Sequence, residues 1–338
     1  MYVYLAKRLS LMVLTLVVIT LASYIIIRAA PGDPTRSDVL GDTLRTQTDG
    51  GGSRSPISAQ LRQDFYLDRN PFVGYSLWLR DVVWHGDLKR SIIVDPGTPT
   101  LTVVTQRALP TLKLSSLAVG LIYLLAIPLG IYCAVAHRSW GERTVTLVLF
   151  MLYSLPSFWV ALLLLAFFSG DTFVNWFPAG GLAPDDEYGW GRSNWQILLE
   201  TSRHYVLPVI CLTYASLAGL SRYARAGMIE VIGQDFIRTA RAKGLSEWHV
   251  IMKHALRNSL IPLVTIFAEL LPGLIAGSII VEYLFNIPGM GSLSLLALSS
   301  RDYPLMMVLF AAGAILTLLG ILISDLLYVV VDPRISLE

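Results

Sequence analysis

Glu269 is the one charged residue between Asn258 and Val281, in a run otherwise made of apolar and small side chains. An acid placed that way is expensive in lipid and normally faces a bundle interior or a water-filled cavity. It reads either as a group on a pathway through the membrane or as a structural acid bonded to a neighbouring helix. The second concentration of polar chemistry is Gln234–Pro262, QDFIRTARAKGLSEWHVIMKHALRNSLIP. Asp235 is placed to N-cap a short helix, and Gly244 is a natural stop with Arg241 and Lys243 in the last turn. Ser246 then caps a second helix, with Glu247 at its start, running toward Asn258. Two short helices joined through a glycine also describe a helix-turn-helix. This pair lies between two long apolar runs, however, which leaves no room for docking into a DNA groove.

Several reaction classes have no residues to carry them. Every lysine is followed by a residue other than Ser or Thr, so a Walker A loop cannot be written. No histidine is followed by Glu, which removes the HExxH metalloprotease pattern, and there is no GxSxG elbow. Cys133 and Cys211 lie far apart inside apolar runs, without metal-ligand or CxxC spacing, and read as small core residues.

The elements that must position these groups are membrane helices. The 338 residues are 54% hydrophobic and 15% charged, with a mean hydropathy of +0.60. Soluble domains carry about 25% charged residues, so the deficit points to lipid as solvent. A net charge of +2 gives no reason to expect nucleic acid as a partner. A spanning helix needs about 20 mostly apolar residues. Six runs qualify between flanking charges: Leu9–Ile27, Leu114–Ala136, a stretch within Thr144–Gly170, Tyr205–Ser221, Asn258–Val281 and Tyr303–Ser324. The first is longer than the roughly 7–15 apolar residues of a signal peptide, and it is read as a retained anchor. Pro128, Pro156 and Pro272 are positioned to kink their spans. Gly273 and Gly277 form a GxxxG spacing suited to close helix packing. Asp325, near the end of the sixth run, reads as structural.

Lysine and arginine set the orientation. The connection 222–257 holds Arg222, Arg225, Arg238, Arg241, Lys243, Lys253 and Arg257 against three acids, whereas 171–204 holds five acids and two basic residues. Both termini are therefore expected in the cytoplasm. The fold class is an all-α membrane protein with six transmembrane helices, an external segment between spans 1 and 2, and a cytoplasmic hairpin between spans 4 and 5. Its divisions are an N-terminal helix, 1–29, an external segment, 30–107, a membrane core, 108–331, with the hairpin at 228–258, and a cytoplasmic tail, 332–338. In the external segment Asp49–Ser53 reads as a loop and Pro31-Gly32-Asp33-Pro34 as an exit turn. Trp78 and Trp84 suggest a short helix at the membrane interface.

Thr239-Ala240-Arg241-Ala242-Lys243-Gly244-Leu245-Ser246-Glu247, followed by His254–Asn258 and Ile261-Pro262, resembles the EAA-type coupling motif of binding-protein-dependent ABC permeases. The form is that of the dipeptide/oligopeptide/nickel permease family, in which TARAKGLS replaces a literal Glu-Ala-Ala. Ala30–Pro34, Gly86–Ser91, Phe285–Gly291, Ser300–Pro304 and Asp325–Ile335 extend the resemblance along the chain. Asn175-Trp176-Phe177-Pro178 and the tail are similar to the branch importing microcin C-like peptides. The resemblance implies a permease subunit of an importer for short peptides, without a nucleotide-binding site or cofactor of its own. ATP and Mg would be bound by cytoplasmic ABC ATPase subunits. Further partners would be a second homologous permease, an extracytoplasmic substrate-binding protein and the bilayer. Asp235, Arg238, Thr239, Ala240, Arg241, Ala242, Lys243, Gly244 and Leu245 would form the ATPase-coupling surface, with Arg238, Arg241 and Lys243 pairing with acids on the ATPase. As a pathway residue Glu269 would meet a peptide's amino terminus. Nickel-chelate uptake and ion-coupled secondary transport through Glu269 stay open as alternatives.

Overall fold

The computed structural model describes residues 2–29, 65–169, 173–182, 193–270 and 273–331. The described residues are nearly all helical, with an isolated bridge between Arg90 and Pro99 as the β pairing among them. Four helices among them are long and apolar enough to cross a membrane, and a fifth crossing is added if one bent pair is counted as a span. The expected Pro31–Pro34 turn, the Asp49–Ser53 loop, Pro272 and the tail 332–338 lie outside the described residues.

The chain divides into two compact units, the first made of residues 1–108 and 293–318. Here α1, Tyr2–Ala29, packs with α2, Pro71–His85. Asn70 caps α2 by accepting from the Phe72 N–H, Pro71 fills the first turn, and Gly86 ends the helix at φ 63°. Tyr75 holds the two helices together through its hydroxyl, 2.8 Å from Thr20 Oγ1, and stacks on Trp78 with centroids 5.9 Å apart. The Tyr24 hydroxyl donates to the Phe65 carbonyl at 2.6 Å. The expected pair of interfacial tryptophans separates: Trp78 is buried in this packing, and Trp84 is 80% exposed. Only Trp84 is free to meet an interface, because the two lie six positions apart and fall on different faces of the helix.

Asp302 organises the other end of this unit. Its Oδ2 accepts from the Ser91 hydroxyl at 2.6 Å and from the N–H groups of Ile92, Ile93 and Val94 at 3.0 to 3.1 Å. Its Oδ1 accepts from the Leu305 N–H, at the start of a long helix that begins at Tyr303. A fully buried carboxylate is thus stabilised by a nest of oriented amides instead of by a cation.

The second unit comprises residues 109–292 and 319–338. Helix α3, Thr100–Val135, begins 14 residues before the expected span and keeps Pro128 inside it. The expected third span is two helices, α4, Trp140–Ser154, and α5, Ser157–Phe168, bent by 98°. The break falls at Leu155-Pro156, where proline cannot continue the hydrogen-bond ladder. Helix α6, Asn194–Ile232, opens with a capping box between Ser193 and Gln196 and runs 39 residues, well past Ser221. Gly130 permits its close approach to α3, since a Cβ there would collide with Ala224.

The expected fifth span has no continuous helix. After α7, Asp235–Ala242, and α8, Glu247–His249, a π segment, Val250–Ala255, leads into α9, Leu256–Ser259. Then come α10, Ile261–Leu270, α11, Gly273–Ala276, and α12, Ile279–Leu284. The GxxxG face expected at Gly273 and Gly277 does not form. Gly277 lies beyond α11 at φ +75°, and a Cβ there would strike the Glu282 carboxylate. Helices α13, Met290–Ser300, and α14, Tyr303–Val331, complete the order. Asp325 is half-buried in α14.

Glu282 is the polar centre of this unit and is fully buried. The Thr111 hydroxyl donates to its Oε1 at 2.9 Å, and the Ser292 N–H donates to its Oε2 at 2.9 Å. Thr111 in turn accepts from the Met290 N–H at 2.8 Å. A Cβ on Gly289 would sit 2.5 Å from Oε2, so glycine is what lets the backbone close around the carboxylate.

Candidate functional site

The hairpin at 235–259 begins where α6 ends. Gln234, extended at φ −80° and ψ 156°, takes the cap position expected for Asp235, which becomes the first helical residue. From there the Asp235 carboxylate still favours the positive end of α7. Ile237 and Ala240, three apart, form the buried stripe of the helix. They pack with Ala134, Met228, Val231, Val250, Ile251 and Ala255 into one apolar cluster. Gly244 ends α7 at φ +76°, a conformation that costs other residues roughly 1–2 kcal/mol. Its N–H donates to the Arg241 carbonyl at 2.9 Å.

The return strand of the hairpin departs from a simple second helix. Ser246 makes no side-chain cap, and regular α geometry lasts only from Glu247 to His249 before the π segment takes over. The tie that closes the turn is an ion pair instead. Arg241 donates to Glu247 through Nε to Oε2 at 3.1 Å and through Nη2 to Oε1 at 2.6 Å. Arg241 therefore already has a carboxylate inside the hairpin, in a pair whose side chains are 42% and 56% exposed. The Arg241 hydrogen bond holds the Glu247 carboxyl below its usual range.

The opposite face of α7 is open. Asp235 and Arg238 form an i,i+3 pair at 3.4 Å, with side chains 94% and 75% exposed, which leaves both free to exchange for outside partners. Such exposed pairs contribute about 0–1 kcal/mol. The Thr239 hydroxyl donates to the Asp235 carbonyl at 3.0 Å. Ala242, Lys243 and Gly244 are exposed, and Ala240 alone of the motif turns inward. Eight of the nine expected hairpin residues are exposed, and Ala240 belongs to the buried cluster. Glu269 lies apart from them in α10, and its side chain is outside the described residues.

Reading residue types included Leu245 but missed Trp248 and Phe236, the rest of the apolar part of this surface. Trp248 is 72% exposed, and Phe236 and Leu245 are also open. Phe236 stands one position off the Ile237–Ala240 stripe, and that phase was the available signal. A compact helix with an apolar-cationic outer face and an apolar inner face suits a protein cleft better than bulk water. Among the described residues no cluster of His, Cys, Asp or Glu is arranged to hold a metal ion.

A family model described as "Binding-protein-dependent transport system inner membrane component" matches residues 126–337. The oligopeptide transport system permease protein AppB of Bacillus subtilis (strain 168) is 36% identical over 337 residues, covering 99% of this chain and 100% of that one. A putative peptide transport system permease protein of Brucella abortus (strain 2308) is 30% identical over 335 residues, 98% of each chain. Among solved structures, inward-facing MetNI methionine ABC transporter matches with a TM-score of 0.51 and 17% identity, covering 69% of this chain and 98% of that chain. That likeness concerns the fold.

Proposed function

Because the chain belongs to the family of binding-protein-dependent transport system inner membrane components, we propose that it is a permease subunit of an ATP-binding-cassette importer for short peptides. The single observation that carries the mechanism is the two-faced hairpin: Ile237 and Ala240 lock it to α6, and Arg238, Lys243, Leu245 and Trp248 face outward. A cytoplasmic ATPase subunit binds that outer face. ATP and Mg belong to that subunit, and its closure moves the hairpin. Motion then passes along α6, to which the hairpin core is packed, and through the π segment into α9 and α10.

The polypeptide crosses a bacterial inner membrane six times in this reading, with both termini in the cytoplasm. The basic residues of 222–257 support that orientation. The bent pair α4–α5 serves as the third crossing and the interrupted series α9–α12 as the fifth. Broken helices at membrane depth are tolerated where they line a cavity or are covered by protein, which fits a translocation path formed with a second, related permease. Glu269 lies on the interrupted crossing and is the candidate to meet a peptide's amino terminus. An external substrate-binding protein delivers the peptide. The peptide assignment follows the named function of the relatives.

The test is a pull-down of tagged chain from membranes in mild detergent, followed by an ATPase assay of the eluate. Wild type brings down a vanadate-sensitive ATPase stimulated by peptide-loaded binding protein, and Gly244→Asp loses the subunit or its stimulation. Transport persisting with no ATPase in the eluate would sink the reading in favour of ion-driven transport.

A further inference from the structure

The second unit contains a cavity of about 460 Å³ between α4 and α6. Its body is apolar, lined by Leu147, Phe150 and Ala218 among others, and its mouth carries Arg143, Arg222 and Arg225. Arg225 is neutralised by the buried Glu142, which also accepts from the Arg138 N–H at 2.8 Å. Arg143 and Arg222 have no carboxylate partner among the described residues. They are held instead over aromatic rings, Arg143 over Trp140 at 5.5 Å and Arg222 over Tyr153 at 5.3 Å. The mouth therefore carries positive charge without an acidic partner among the described residues.

Two buried polar atoms add to it. Ser221, 2% exposed, lines the cavity, and its hydroxyl has no hydrogen-bond partner among the described residues. The Arg225 Nε is likewise unpartnered. Burying such groups without a bond costs free energy, so an occupant that supplies acceptor oxygens is favoured at this spot. Trp140, 81% exposed at the start of α4, is the side chain expected at a membrane–water boundary.

We propose that this cavity binds an anionic phospholipid, its phosphate diester between Arg143 and Arg222 and an acyl chain against Leu147, Phe150 and Ala218. Charge complementarity selects the headgroup, and the apolar body selects the chain. Basic pockets between membrane helices recognise anionic headgroups by this combination. A free peptide carboxylate would meet the same arginines but would leave the apolar body unfilled. The assignment rests on the chain spanning a bilayer and is independent of peptide import, so a failure of transport leaves it intact.

The test uses the intact transporter complex in detergent, read by native mass spectrometry after delipidation and titration with phosphatidylglycerol or phosphatidylcholine. Wild type retains phosphatidylglycerol selectively, and Arg143→Gln with Arg222→Gln weakens it about thirty-fold, since two surface cations are removed. Arg143→Lys with Arg222→Lys restores most of the affinity, which separates charge from misfolding. Lys113→Gln, which removes one cation elsewhere on α3, leaves retention unchanged. Leu147→Trp, which fills the acyl slot and spares the arginines, reduces it. Equal retention by the glutamine pair, equal binding of phosphatidylcholine, or displacement by millimolar inorganic phosphate overturns the proposal. So does a wild-type complex that holds no lipid, because the partner permease would then cover the cavity.

Discussion

Arg241 and Glu247 close the hairpin with a two-pronged ion pair across the Gly244 turn, at 3.1 and 2.6 Å. Both side chains are roughly half exposed, 42% and 56%, so solvent screens the pair and its direct worth is about 0–1 kcal/mol. A double-mutant cycle with Arg241→Ala and Glu247→Ala is expected to give a coupling energy inside that range by thermal unfolding. Exchange of the two charges, Arg241→Glu with Glu247→Arg, should restore much of it. A coupling energy well above 2 kcal/mol would contradict the exposed geometry.

The same pair fixes a pH dependence. The Arg241 hydrogen bond lowers the folded Glu247 pKa below its unfolded value. Its contribution is therefore fully present above the ordinary carboxylate range and is lost as pH falls through the lowered folded value. Hydrogen exchange at residues 241–247 should be flat from pH 8 to about 5 after correction for intrinsic rates, with opening only in more acidic solution. Glu247→Gln should abolish that acid step.

Ile237 is fully buried in the cluster that fastens α7 to α6. Truncation to alanine should cost about 2–5 kcal/mol at this site, as for other large-to-small core changes. The loss should appear as faster proteolysis within 233–249 and weaker ATPase capture. Phe236→Ala, on the exposed face, should weaken capture while leaving proteolysis unchanged.

Glu282 should be more sensitive than its place near a connection implies. Glu282→Gln turns one acceptor into a donor that must face either the Thr111 hydroxyl or the Ser292 N–H. Replacement by alanine orphans both donors, at about 1–3 kcal/mol for each buried group left unmade. Gly289→Ala places a Cβ 2.5 Å from Oε2 and should lower the unfolding temperature at least as much. Thr111→Ser, which retains the hydroxyl, should be close to wild type.

Much of this architecture was legible in residue order, because apolar length and flanking charge are the physics of a bilayer. Helix α1 and the apolar middle of α6 follow from that pattern, as does the Gly244 turn, where cap chemistry is local. The interruptions were harder to read. Asn258–Val281 is apolar enough for a span, yet its helix breaks around Leu260 and Gly277, and hydropathy is silent about breaks that tertiary contacts hold open. The buried acids were missed for a related reason. Glu142, Glu282 and Asp302 stand beside loops in the sequence, where nothing local marks them as buried. Their partners, Arg225, Thr111 and Ser91, are far away along the chain, and no periodicity announces them. The Arg241–Glu247 pair had a visible clue, opposite charges six apart across a glycine turn.

Helix α6 is 39 residues long, roughly 58 Å at the usual rise, against a hydrocarbon core of about 30 Å. Pro208 interrupts its backbone ladder 24 residues before its end at Ile232. That geometry gears angle into distance: a swing of about 10° around Pro208 carries Ile232 through roughly 6 Å, near one helical pitch. Any tilt of this rod about Pro208 would therefore be enlarged at the hairpin, because one continuous helix joins the two.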